Sequence, residues 1–186
     1  SIPFNVCMNA WANANLKESP NHADKILEMM LDPEFSAKTG IKATTISFNT
    51  CMHAWSRAAR RDPQAPQRAE DLLQLMEQID YVRPDVTSYT TVINAYANSE
   101  RPDKISHARR VLEALLTNLP SLGQVSVIPF NMVLNAIVSS PIQQQSTEHT
   151  MGDPFGVNND GPPNCDLDAY SLAMKIYEEV CSDVYD

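Results

Sequence analysis

The segment Phe48-Asn49-Thr50-Cys51-Met52-His53-Ala54-Trp55 decides the fold, because near-copies of it stand at three other places in the 186 residues. They begin at Phe4 (FNVCMNAW), Tyr89 (YTTVINAY) and Phe130 (FNMVLNAI), so the four headings lie 44, 41 and 41 residues apart. Within the Phe48 copy, Phe48, Cys51, Met52 and Trp55 recur at i, i+3, i+4 and i+7. That spacing places them on one face of a helix. Ala10, Ala54, Ala95 and Ala136 hold a matching position, where a small side chain lets a neighbouring helix approach. Pro3 and Pro129 precede their aromatic residue and suit a first helical turn, where a missing N–H leaves nothing unpaired.

A second helical segment follows each heading, opening at Ala23, Ala69, Ala108 and Ala173. In the second of these, Ala69, Leu72, Leu73 and Met76 again share one face. Each unit is therefore a helical hairpin that buries its apolar faces only by stacking on the next. A fixed period of this length predicts an all-α, quasi-linear array of about four helix-turn-helix hairpins, an α-solenoid. The units run over 1–44, 45–85, 86–126 and 127–186, with short Pro- and charge-containing turns at 60–66 and 99–104. The last unit is interrupted by residues 141–166, a stretch with four prolines, three glycines and QQQ and NND tracts. Such a composition buries no core and predicts a mobile loop. Beyond it the helical pattern resumes at about 167–181. Residue 1 falls at the start of a unit and residue 186 inside one, so the array is expected to be a piece of a longer protein.

An apolar content of 43% suffices for a continuous core, and no apolar run approaches the roughly 18 residues of a membrane span. The net charge of −9 is unevenly placed: −1, −1 and +1 for the first three units and −8 for residues 127–186. Bulk charge thus neither requires nor forbids a polyanionic partner. The four cysteines form no CxxC pair; Cys7 and Cys51 align with Val92 and Val133 and are expected to be small buried hydrophobes, while Cys165 and Cys181 stand 16 residues apart, a spacing that leaves their pairing open. His22, His53, His107 and His149 lack metal-ligand spacing, and no metal or cofactor is expected. The turn GVNNDG at 156–161 has neither the first Asp nor the closing Glu of a calcium loop. No phosphate-binding or catalytic motif is present, so enzymatic activity is not expected. Trp11, Trp55 and Tyr96 are aligned, which favours a repeated packing role.

The aromatic-Asn/Thr openings, the alanines of the second helices and the junction Pro84-Asp85-Val86-Thr87-Ser88-Tyr89 resemble those of the pentatricopeptide repeat (PPR) family. The resemblance covers all but residues 141–166. The units here are longer than is usual in that family, through extended loops. It implies a right-handed superhelix that binds single-stranded RNA at one base per repeat. It also implies work in organellar RNA processing, stability or translation, in a mitochondrion or plastid, alongside other proteins of a gene-expression complex. Carried over unit by unit, the base-reading pairs are Asn5 with Thr44, Asn49 with Asp85, and Thr90 with Ser126; Asn131 has no partner within the chain. Ile2, Ile46, Thr87 and Ile128 match the position that packs on the base face, and Asn49 with Asp85 is the combination that prefers uridine. At the place of the family's phosphate-contacting cation stand Asn13, Arg57, Asn98 and Ser139, so Arg57 alone carries a charge. An amide or hydroxyl at the start of a helix can exchange hydrogen bonds with a Watson–Crick edge, while a β-branched side chain covers the ring.

A second reading stays open. The same amides can serve as helix-start polar groups, and sparse cations together with the acidic last segment suit a scaffold that binds protein, such as a subunit of an organellar ribosome.

Overall fold

The computed structural model describes residues 2–14, 16–118, 128–129 and 131–133, all within one compact unit spanning Ser1–Ala136. The expected loop at 141–166, the helix at about 167–181, Ser126, Ala136, Ser139, His149, Cys165 and Cys181 lie outside the described residues. Among the described residues the chain is all-helical, with no strand: α1 Ile2–Ala14, α2 Ser19–Leu31, α3 Pro33–Thr39, α4 Thr45–Ala58, α5 Ala65–Gln78, α6 Val86–Asn98 and α7 Lys104–Thr117, followed by helical residues at 128–129 and 131–133. None of them is long and apolar enough to cross a membrane.

Local chemistry starts and stops these helices. Thr44 caps α4 and Asp85 caps α6, and in each case the third residue of the helix, Ser47 or Ser88, returns a bond to the capping residue's N–H. This reciprocal box satisfies donors that the first helical turn leaves without partners. Pro20 and Pro66 sit in the first turns of α2 and α5, where a missing N–H costs nothing. Helix α5 thereby begins at Ala65, inside the stretch expected to be a turn, and α7 begins at Lys104.

The first helices of successive hairpins are α1, α4 and α6; the second are α2, α5 and α7. Helix α4 packs on both α1 and α6, on its partner α5 and on α2 of the preceding hairpin. Helix α6 packs on α4, α5 and α7. The seams are apolar: Phe48, Cys51, Met52 and Trp55 of α4 meet Leu72, Leu73 and Met76 of α5 in the buried layer, with Val92, Ile93 and Tyr96 of α6 and Val111, Leu112 and Leu115 of α7 continuing it. Burying one such Leu, Val or Met side chain contributes about 1.5–3 kcal/mol, which makes these seams the principal source of stability.

Each hairpin repeats one ring contact. Trp11 stacks on His22 with centroids 4.2 Å apart, Tyr96 stacks on His107 at 4.8 Å, and the Arg68 guanidinium lies over Trp55 at 5.9 Å. His22, Arg68 and His107 each immediately precede the second-helix alanine, so one alignment position always supplies the partner. Successive second helices are tied by ions. Asp24, buried on α2, accepts from Arg68 of α5 at 2.7 Å and from the Cys51 thiol at 3.1 Å. Glu70, buried at the matching place on α5, accepts from Arg110 of α7 and from the Tyr96 hydroxyl. Burial, with the Asp24 carboxylate beside it, raises the pKa of the Cys51 thiol well above its usual value, so it stays a donor.

Three expectations need correcting. Cys7 is exposed, not a buried hydrophobe, and Ala10 is exposed while Ala54 and Ala95 are buried. The reason is positional: the matching face of α4 is covered by α2 of the hairpin before it, and α1 has no such neighbour among the described residues. Helix α3 was not expected at all. Asp32 caps it by accepting from the Glu34 N–H at 2.9 Å, Pro33 opens it, and Gly40 closes it in the left-handed region at φ 70. This added turn of structure accounts for the longer first spacing of 44 residues against 41.

Candidate nucleic-acid interface

A solvent-facing stripe runs along each first helix. On α4 it consists of Ile46, Asn49, His53 and Arg57, and on α1 of Ile2, Asn5, Asn9 and Asn13. Ile2, Ile46 and Ile128 are 76%, 65% and 53% exposed, and Thr87, at the same register, is exposed as well. Burial against the fold does not use these aliphatic side chains, and their recurrence at equivalent positions leaves apolar area available for a contact.

Three residues further on, the structure brings Asn49 and Asp85 together. The Asn49 Nδ2 donates to Asp85 Oδ1 at 3.0 Å, and both residues are half-buried. Asp85 Oδ1 also accepts from the Ser88 N–H at 2.8 Å as the cap of α6. Its Oδ2 receives no hydrogen bond among the described residues. Asn5 and Thr44 are joined indirectly: the Ser47 hydroxyl donates to Asn5 Oδ1 at 2.8 Å and stands 3.1 Å from Thr44 Oγ1. Thr90 behaves differently. Its hydroxyl donates to the Val86 carbonyl at 2.6 Å within its own helix, and its expected partner Ser126 lies outside the described residues. Asn131 is exposed.

Sequence reasoning missed Ser47 and Ser88, both fully buried and bonded to Asn5 and Asn49 of the preceding units. A signal was available, since the two serines stand immediately before Phe48 and Tyr89, three residues after their capping residues. Further along the stripe, Asn94 Nδ2 donates to Ser56 Oγ at 3.0 Å, again linking α6 to α4, and Asn98 Nδ2 donates to Asn94 Oδ1 at 2.8 Å. The Asn13 amide donates to Asn9 Oδ1 at 3.2 Å. Arg57 is exposed in the last turn of α4. His53 has its pKa lowered by desolvation and secondarily by Arg57, so its ring carries little charge at neutral pH. Among the described residues no group of three His, Cys, Asp or Glu is placed to hold a metal ion.

The pattern of cross-unit amide and hydroxyl contacts, with exposed aliphatics beside them, defines an all-helical protein with a repeated polar stripe. Comparison of the chain with protein-family models, with curated proteins and with solved structures gives no match.

Proposed function

We propose that the chain is a sequence-selective, single-stranded RNA-binding array, built as a right-handed α-solenoid whose units are pentatricopeptide-like hairpins. The observation that carries this reading is the Asn49–Asp85 pair, hydrogen-bonded at 3.0 Å, half-exposed and flanked by the exposed Ile46 and Thr87. One N–H of the amide and the Asp85 Oδ2 remain to meet a base edge, while the flanking side chains cover the ring faces. The stack of α1, α4 and α6, each packed only on its sequence neighbours among these three, supports the solenoid. Asn5, Thr90 and Asn131 would meet successive bases, and Arg57 would contact a phosphate. Resemblance to the family extends the proposal to organellar RNA processing, stability or translation in a mitochondrion or plastid.

Titration with a uridine oligoribonucleotide tests it. The double variant Asn49→Ala, Asp85→Ala is expected to bind uridine about 5- to 150-fold more weakly, since a well-placed bidentate contact discriminates by about 1–3 kcal/mol. Equal affinity of wild type and variant for all four homopolymers would overturn the reading.

One observation favours the second reading, a protein-binding scaffold. Asn5 and Asn49 already engage neighbouring units, and Arg57 is the single cation at the four phosphate positions. Absence of RNA binding together with stable co-purification of a defined protein would establish the scaffold instead.

A further inference from the structure

We infer that Ser88, and Ser47 in the unit before it, are positioning residues that decide which end of the reading asparagine meets the ligand. This rests on the RNA-binding reading above and deepens it. A serine hydroxyl has one proton. The Ser88 Oγ lies 2.7 Å from Asn49 Oδ1 and 3.0 Å from Asp85 Oδ1. Asp85 Oδ1 already accepts the Ser88 N–H and the Asn49 amide, so the proton goes to Asn49 Oδ1, the nearer acceptor. The Ser88 oxygen is itself held by the Asp85 N–H at 3.0 Å. Turning the amide over would set its oxygen against the Asp85 carboxylate, acceptor against acceptor, and would turn the Ser88 proton from its nearer acceptor at 2.7 Å to Asp85 Oδ1 at 3.0 Å. Asn49 therefore keeps its oxygen towards the protein and offers an N–H outward.

The same arrangement operates at Asn5 with a different capping residue. The Thr44 N–H donates to Ser47 Oγ at 3.1 Å, and the Ser47 hydroxyl donates to Asn5 Oδ1 at 2.8 Å. Here no carboxylate assists: Thr44 Oγ1, 3.1 Å from Ser47 Oγ, is the other acceptor within reach of the serine proton, and Asn5 Oδ1 at 2.8 Å is the nearer. In the next unit the corresponding residue is Pro129, which has no hydroxyl, and Thr90 turns to its own helix. Thr90 has given its proton to Val86 O and presents only lone pairs. The stripe thus has a polarity that the serines write: a donor at the first unit, a donor beside the Asp85 acceptor at the second, and an acceptor at the third. The first unit selects a base that turns a carbonyl oxygen or bare ring nitrogen towards it, the third a base that turns an N–H.

The test uses the full 186-residue chain and homopolymeric uridine and cytidine oligoribonucleotides, read by fluorescence anisotropy. In Ser88→Ala the Asn49 oxygen loses its tether, and the uridine-to-cytidine affinity ratio is expected to fall from about tenfold towards one. Asp32→Ala, which removes the cap of α3 away from the stripe, is expected to lower the melting temperature and leave the ratio unchanged. Should Ser88→Ala not fold, Ser88→Cys, nearly isosteric with a weak donor, reports the same ratio. A Ser88 variant that folds and keeps the wild-type ratio overturns the positioning role while RNA binding stands. A wild-type chain that binds neither oligomer overturns the RNA reading and this role together.

Discussion

At Tyr89 a single residue shows how strongly the stack sets side-chain chemistry. Its hydroxyl donates to Glu77 Oε1 at 3.0 Å and accepts from Asn118 Nδ2 at 2.9 Å, so it bridges α5 and the end of α7. Burial, reinforced by the Glu77 carboxylate, pushes its pKa up to about 12 from an ordinary value of 10.0. The folded state therefore holds this proton more tightly than the unfolded chain. Stability from this group is complete below pH 10 and is lost as pH rises from there through about 12. Denaturant midpoints measured across that window are expected to fall for the wild type and to fall less for Tyr89→Phe, with a late tyrosinate absorbance step vanishing in the variant. The Asn49–Asp85 pair is the other residue-scale lesson. Its members were legible as candidates because a polar residue after an aromatic and an Asp after a Pro stand out. The serine beside them shows its capping role in its place three residues after Asp85, but that place does not say which distant side chain its hydroxyl meets. Its meaning comes from an asparagine 39 residues away.

At the scale of the element, helix α3 illustrates how little periodicity is needed when the ends are well made. Seven residues are too few for an apolar repeat to register, and none of them is buried. The helix stands on its caps, with Asp32 before it, Pro33 opening it and the left-handed Gly40 after it. A Cβ at Gly40 would meet nothing within 4 Å, so the cost of a side chain there is purely conformational. Gly40→Ala is expected to destabilise the protein by about 1 kcal/mol, with Gly40→Asn costing less, as chemical denaturation would report. The long helices were legible for the opposite reason: their apolar residues recur at i, i+3, i+4 and i+7, and the pattern returns in unit after unit. Cys7 and Ala10 were misjudged because alignment with Cys51 and Ala54 describes what a position can bury and says nothing about whether a neighbour is there to cover it.

At the scale of the whole molecule, charge distinguishes this chain from one with a strongly basic surface. Asp24 and Glu70 draw Arg68 and Arg110 into contacts between second helices, leaving Arg57 as the cation on the α4 stripe. Under the proposed function, affinity for RNA is expected to depend only modestly on salt, since each phosphate neutralised on a single strand contributes about −0.7 to the slope of log affinity against log salt concentration. Arg57→Gln should reduce the magnitude of that slope by about 0.7, measured by anisotropy titrations between low and physiological salt. A steep slope retained in the variant would show that the backbone contacts lie elsewhere.

The sequence by itself determined the all-helical class, the hairpin unit and the register of equivalent positions. Those follow from periodic burial, which each helix expresses locally and the repeats express many times over. Tertiary structure alone decided which equivalent positions are covered, how the buried acids of one hairpin pair with the arginines of the next, and that Ser47 and Ser88 grip Asn5 and Asn49 of the units before them. These depend on distances between residues some 40 positions apart, and only packing brings such residues within reach of a hydrogen bond.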